Sequence, residues 1–242
     1  MDSTTTNPLL IDASNIFFGT PYTQDNGQKI IPMSTTEGVF NWDSRINVQF
    51  GPNAQNLMTS EWGVNTPVKG ADPSRRNLEF FIPSDVVANL KKFDEQIAQL
   101  ANKNSSDWFK QATLNKQYLP LVRQDKKGMD IVRVKISATE KGATECRVLN
   151  PDGCTATVRP FTDLVKVRDL KLSCIVQTPG IWANATQFGI SLTCRSIIAK
   201  LPPPRGGLNI FSGFGDIRDT TVSDVAPSNV PDGQDAEMSD DM

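Results

Sequence analysis

Three stretches of alternating side chains constrain this sequence more than anything else in it. In Ile131-Val-Arg-Val-Lys-Ile136, Val132, Val134 and Ile136 fall on one side and Arg133 and Lys135 on the other. Leu170-Lys-Leu-Ser-Cys-Ile-Val176 sets Leu170, Leu172, Cys174 and Val176 against Lys171 and Ser173. Phe188-Gly-Ile-Ser-Leu-Thr-Cys-Arg195 sets Phe188, Ile190, Leu192 and Cys194 against Ser191, Thr193 and Arg195. A period of two marks a strand buried on one face. The other face here is Lys, Arg, Ser and Thr, so the sequence predicts a sheet with one wet, basic side. Asn150-Pro-Asp-Gly153 supplies a turn between short β-prone runs.

The basic character is regional. The whole chain of 242 residues has a formal net charge of -2. Residues 1–122 carry 10 Lys/Arg against 12 Asp/Glu, residues 123–205 carry 14 against 7, and residues 206–242 carry one against 8. The last boundary is Leu201-Pro-Pro-Pro-Arg-Gly-Gly207, through which neither helix nor strand continues. After Phe211-Ser-Gly-Phe214, the run from Asp216 to Met242 is Asp, Ser, Pro and Val without periodicity. Such a segment cannot bury enough apolar area to offset chain entropy, so residues 206–242 are expected to form a disordered acidic tail.

Composition removes most chemistry. The chain has no histidine, which excludes Ser-His-Asp and Cys-His catalysis and histidine-based metal sites. Its four cysteines show no C-x-x-C spacing and read as reduced, small apolar side chains rather than a zinc site. No glycine-rich phosphate loop is present, and no spacing nominates a carboxylate pair. The expectation is a protein that is not an enzyme and holds no cofactor and no metal. No apolar stretch approaches the ~20 residues of a membrane helix. The start, Met1-Asp-Ser-Thr-Thr-Thr-Asn7, has no signal-peptide pattern. An intracellular, non-secreted protein without a membrane partner is expected.

The front half also reads as extended. Residues 1–8 are expected to be flexible. Leu9 to Phe18 leads into Gly-Thr-Pro21, and Asp25-Asn-Gly27 supplies a hairpin-type turn before Lys29-Ile-Ile-Pro-Met33. One helical unit interrupts the strands, around residues 84–116. Pro83-Ser84-Asp85 reads as its N-cap, with Val86, Leu90, Phe93, Ile97 and Leu100 recurring on one face. Ser106 reads as the cap of a second short piece holding Trp108 and Phe109.

The elements add up to a mainly β fold, an OB-like β-barrel (or a sandwich) over residues 9–205, with the helical insertion and the acidic tail. Basic and aromatic residues on a sheet suit single-stranded nucleic acid, since every base offers a π-face and every linkage a charge, and OB barrels present such a face. The candidate binding residues are Arg133, Lys135, Arg159, Phe161, Lys171, Trp182 and Arg195. Trp182 follows Pro179-Gly-Ile, which places its ring at a hairpin tip or strand edge, free to stack on a base or to fold back as a plug. Phe188 reads as core and Trp108 as helix-end packing.

The order of motifs is informative. An early Asn15-Ile-Phe-Phe-Gly-Thr-Pro21 precedes a Phe93-Asp94 helix running to Asn104-Ser-Ser-Asp-Trp-Phe109, and Gly180-Ile-Trp182 and Gln187-Phe-Gly-Ile-Ser191 come last. This resembles the single-stranded-DNA-binding proteins of large nucleocytoplasmic DNA viruses. Those are in turn distantly similar to the OB-fold single-stranded-DNA-binding proteins of short-tailed phages. The resemblance covers roughly residues 9–200, and its sharpest part is Gly180–Ser191. It implies single-stranded DNA as the partner, in viral replication, recombination or repair, at a cytoplasmic viral replication site or in the host nucleus. It also implies that the acidic tail meets replication proteins; a homodimer stays open. Several such relatives end the tail in an aromatic residue, whereas this chain ends in Met242. The opposite charges of basic block and tail predict that the tail competes with DNA for the basic face. The alternative reading is a viral structural or scaffolding protein that does not bind nucleic acid.

Overall fold

The three alternating runs all form strands, but only two of them serve a single sheet. The structure, a computed structural model, describes residues 5–41, 44–51, 56–65, 75–137, 143–151 and 153–203. In chain order the strands begin with β1 (Thr5–Thr6), β2 (Phe17–Phe18), β3 (Tyr22–Thr23), β4 (Lys29–Ser34), β5 (Ile46–Phe50), β6 (Met58–Ser60) and β7 (Arg75–Phe81). Two helices follow, α1 (Ser84–Lys103) and α2 (Ser105–Phe109). Then come β8 (Gln117–Leu119), β9 (Val122–Gln124), β10 (Asp130–Ser137), β11 (Glu145–Leu149) and β12 (Ala156–Val158). The last four are β13 (Leu170–Thr178), β14 (Gly180–Ala183), β15 (Gln187–Ile190) and β16 (Thr193–Lys200).

Pairing closes a barrel. β13 pairs with β5, β6 and β16, β6 with β7, β7 with β10, and β10 runs parallel to β16. Because β5 and β6 lie end to end along β13, they form one stave. Counted along the chain, the five staves are joined in the order 1-2-3-5-4-1, a Greek-key barrel of the OB type. The predicted alternation of β10 and β13 is what fills it. Leu78, Phe80, Val132, Val134, Leu172, Cys174, Val176, Cys194 and Ile197 are buried inside. Phe50 meets Phe80 edge-on, with ring centroids 5.3 Å apart. Each buried Val, Leu, Ile or Phe among them contributes about 1.5–3 kcal/mol by leaving water.

The third run is split. β15 ends at Ile190 in a second sheet, ordered β2-β4-β14-β15-β8 with β3 on β4, and β16 starts at Thr193 in the barrel. Alternation continues through Ser191-Leu192 although the chain changes sheets there. The Leu192 carbonyl already accepts from the Lys135 amide at 2.8 Å, which anchors the start of β16 beside β10. The other change of sheet is at Pro179-Gly180. Gly180 has φ +141°, and a Cβ there would run into the Ile31 carbonyl of β4. The pair is therefore a pivot that lets backbone pack on backbone rather than the tip of a hairpin.

The helical insertion is held by its predicted face, with Val86, Leu90, Phe93 and Ile97 buried. Its start differs from the expected cap. Pro83 occupies the N-cap position and no side chain caps the turn, while Ser84 is the first helical residue. The second piece starts at Ser105 rather than after a Ser106 cap. Asp94 ties α1 to the following strands, accepting from the Tyr118 hydroxyl at 2.6 Å and from the Leu121 amide. Phe18, Trp108, Phe109, Phe188 and Tyr118 pack in sequence beside it.

Two boundaries move. Thr5–Thr6 pairs in parallel with Asn47–Val48, so ordered structure begins before residue 9. The chain divides into two units, residues 1–203 and residues 204–242. The second unit, and with it the acidic tail and its expected disorder, lies outside the described residues, as do residues 1–4.

Candidate nucleic-acid interface

The outer face of the second and third staves carries a row of cross-strand pairs, two polar and one apolar. Arg133 stands opposite Glu79, Lys135 opposite Asn77, and Ile131 opposite Phe81. Arg133 and Lys135 are exposed because their neighbours Val132, Val134 and Ile136 fill the barrel. Arg133 is ion-paired with Glu79. On the neighbouring β9, Arg123 lies diagonally from Arg133. Burial, with the charge of Arg133 second, holds Arg123 below the usual guanidinium range, and Glu79 opposes both.

The chain leaving β6 runs on beside β7, with Val64 bridging Leu78 and the Asn65 amide donating to the Asn77 carbonyl at 2.9 Å, and its Glu61, Trp62, Gly63 and Asn65 make a wall. Gly63 takes φ +62°, and a Cβ there would overlap the Leu164 carbonyl; the Val64 amide donates to that same carbonyl at 2.9 Å. This fixes Trp62 on the outside, 49% exposed. The guanidinium of Arg168 sits 4.7 Å from its ring centroid, a cation–π contact that holds one face of the indole. Between the wall, the strand face and the β9–β10 turn lies a groove of about 490 Å³. Its lining includes Trp62, Asn65, Phe81, Lys126, Ile131 and Arg133. A second depression, about 430 Å³, opens beside Trp62 toward Lys166 and Arg168. An exposed ring between a groove that holds Lys126, Lys127 and Arg133 and a depression that holds Lys166 and Arg168 is suited to stacking a flat, unpaired base while cations reach the linkages on either side.

The predicted residues are distributed around the barrel rather than gathered on one surface. Arg133 lines the groove, and Lys135 is two residues further along the same face. Thr193 pairs with Lys135, so Arg195 lies beyond it on β16, half-buried. There it approaches Arg45, whose pKa burial lowers, with Tyr22 opposing that shift and the Arg195 charge adding to it. Lys171 is exposed but sits on the other side of β6 from the groove, donating to Thr59 Oγ1 at 2.6 Å and facing Lys200 across the β13–β16 pair. Arg133, Lys135 and Lys171 are exposed, whereas Arg195 is half-buried, and closure of the sheet puts Lys171 on a different side from Arg133 and Lys135.

The remaining three lie elsewhere. Arg159 is exposed just past β12, at the outer edge of the barrel sheet, its amide bonded to the Cys146 carbonyl at 3.0 Å. Phe161 opens a short 3-10 turn and packs against the core. Trp182 is half-buried inside the second sheet, with Ile30 on one side and Gly189 on the other, so it is not at a hairpin tip. The turn of that hairpin is further on, around residues 184–186. Phe188 is buried in the aromatic cluster.

Sequence reasoning missed Trp62, Arg168, Lys126 and Lys127. Glu61-Trp-Gly63 has no alternation to flag it; a tryptophan directly before a glycine, after a short strand, was the available signal.

No family model matches the sequence, and no curated protein matches it. Among solved structures, the single-stranded DNA-binding protein from bacteriophage Enc34 is similar at 11% identity and TM-score 0.40, over 84% of this chain and 98% of that one. The same phage protein in complex with ssDNA is similar at 11% identity and TM-score 0.37, over 78% and 94%. The single-stranded DNA-binding protein gp2.5 encoded by bacteriophage T7 is similar at 12% identity and TM-score 0.41, over 69% and 94%. What the face around Trp62 can bind rests on this chain's own side chains.

Proposed function

We propose that this chain binds single-stranded DNA without sequence preference, through the groove between Trp62 and the β7–β10 face. The observation that carries the reading is the Trp62 ring, exposed and backed by Arg168, beside a groove reached by Arg133, Lys126 and Lys127. In OB barrels the second and third staves and the loops around them form the oligonucleotide surface, and Trp62 stands there. Stacking accepts any base because each has a π-face, and phosphate contacts carry no sequence information. Binding is the whole activity in this reading, with no chemical step. A role in viral replication, recombination or repair, and kinship with the proteins of large nucleocytoplasmic DNA viruses, belong to the same proposal and are supported by the Gly180–Ser191 motif.

Intrinsic fluorescence tests the site directly. Adding oligo(dT) should quench tryptophan emission in the unaltered protein and in Trp182→Phe, and the quench should be lost in Trp62→Phe. Quenching that survives Trp62→Phe and disappears in Trp182→Phe would move the site to the second sheet.

A further inference from the structure

The groove is less basic than the surrounding sequence. Its lining holds three cations, Lys126, Lys127 and Arg133, and three carboxylates, Glu61, Asp125 and Glu79, so it is formally neutral. The carboxylates do not have equal tasks. Asp125 is used by the turn itself, accepting from the Lys127 and Met129 amides at 2.8 Å each. Glu61 and Glu79 are spent on cations instead. Glu61 accepts from Lys127 Nζ at 2.6 Å, across 66 residues of sequence, and Glu79 takes both Nε and Nη2 of Arg133. In each pair the acid is the more covered member. Glu61 and Glu79 side chains are 25% and 28% exposed, against 67% and 47% for Lys127 and Arg133. Both cations are more exposed than the carboxylates that hold them, and all four side chains line the groove.

We infer that Glu61 and Glu79 are resident competitors of the DNA backbone, carboxylates that hold the groove cations in place and set how tightly and how salt-sensitively phosphates are bound. This rests on the single-stranded-DNA reading above. A phosphate reaching Arg133 or Lys127 meets a cation already half-neutralised, and it also meets the repulsion of the acid behind it. The acid offsets part of the repulsion between Arg133 and Arg123 in the free protein; a bound phosphate would do the same. Fewer counterions are then released per linkage than the cation count suggests. Strands bound this way can be released and rebound, which a sequence-independent protein on a long template requires.

Glu79→Gln tests this, because the amide oxygen still faces Arg133 while the charge is gone. Glu61→Gln does the same for Lys127, and carries the test alone if Glu79→Gln does not fold by thermal melt. Glu145→Gln is the control, since Glu145 pairs with Arg147 at 2.7 Å on β11 and does not line the groove. Full-length proteins are titrated against a labelled oligo(dT) across a salt series. Each groove variant should bind roughly threefold or more tightly at low salt, from the Coulomb energy of a unit charge a few ångström away. The slope of log K against log salt should steepen by about 0.7 per further phosphate neutralised. Unchanged or weaker binding in the groove variants would overturn the inference, as would an equal gain in Glu145→Gln. If the unaltered protein does not bind at low salt, the parent reading itself has failed.

Discussion

Asp94 gives this fold a pH dependence opposite to that of an ordinary paired carboxylate. It is a buried residue of α1, and burial raises its pKa from 3.8 to about 6, while its bonds from Tyr118, Leu121 and Val122 pull the other way without winning. Tyr118 is correspondingly raised, first by its own burial and then by the Asp94 charge. The folded state therefore holds the Asp94 proton more tightly than the unfolded chain. The stabilisation is full below the unfolded value near 3.8 and is lost as pH rises through about 6. Roughly two pKa units correspond to about 3 kcal/mol in all, of which about 1.3 kcal/mol falls between pH 7 and pH 5. Urea unfolding of the unaltered protein and of Asp94→Asn at pH 7, 6 and 5 measures it. The difference in unfolding free energy between the two should move in favour of the unaltered protein on acidification, by about that 1.3 kcal/mol. A difference that is flat, or that moves the other way, would refute the argument that desolvation dominates at Asp94.

Other consequences follow from single positions. Trp62→Ala should weaken single-stranded DNA binding by ~1–3 kcal/mol, measured by anisotropy, and leave the melting temperature nearly unchanged. Gly180→Ala should destabilise the protein strongly in a thermal melt, because φ +141° and the Ile31 carbonyl leave no room for a Cβ. Arg133→Ala and Lys135→Ala should each weaken binding about equally for oligo(dT), oligo(dA) and mixed sequence, reducing the salt slope by about 0.7 per lost phosphate contact. A sequence-selective loss in either variant would mark that side chain as a base reader instead.

Much of the barrel was legible from alternation alone. Val132, Val134 and Ile136 against Arg133 and Lys135, and Leu170, Leu172, Cys174 and Val176 against Lys171, take the faces that alternation assigns, but Ser173, expected on the wet side, is buried and donates to the Phe50 carbonyl of β5. Alternation says which side of a strand is wet but not which strand lies next to it. It could not show that Lys171 and Lys135 stand on different flanks of a closed ring, or that Phe188 to Arg195 serves two sheets. Proline and glycine misled for a related reason. Pro179-Gly180 satisfies the pattern of a turn, yet the demand on Gly180 comes from Ile31, distant in sequence and adjacent in space. The ion pairs that neutralise the groove span 54 and 66 residues, so a local count of charge overstated its basicity. Trp62 was overlooked because its exposure is made by Gly63 and Leu164 rather than by any pattern around it.

The central claim is that the face around Trp62 grips the backbone of single strands, and a salt-resolved titration reaches it most directly. Full-length protein is titrated by anisotropy against a labelled strand of about 30 bases, longer than one OB-fold site, and against the same sequence as duplex. The account predicts binding to the single strand at low salt, a weaker response to the duplex, and affinity that falls linearly in a log–log plot against salt. No binding to any single strand at low salt, or binding indifferent to salt, would contradict it.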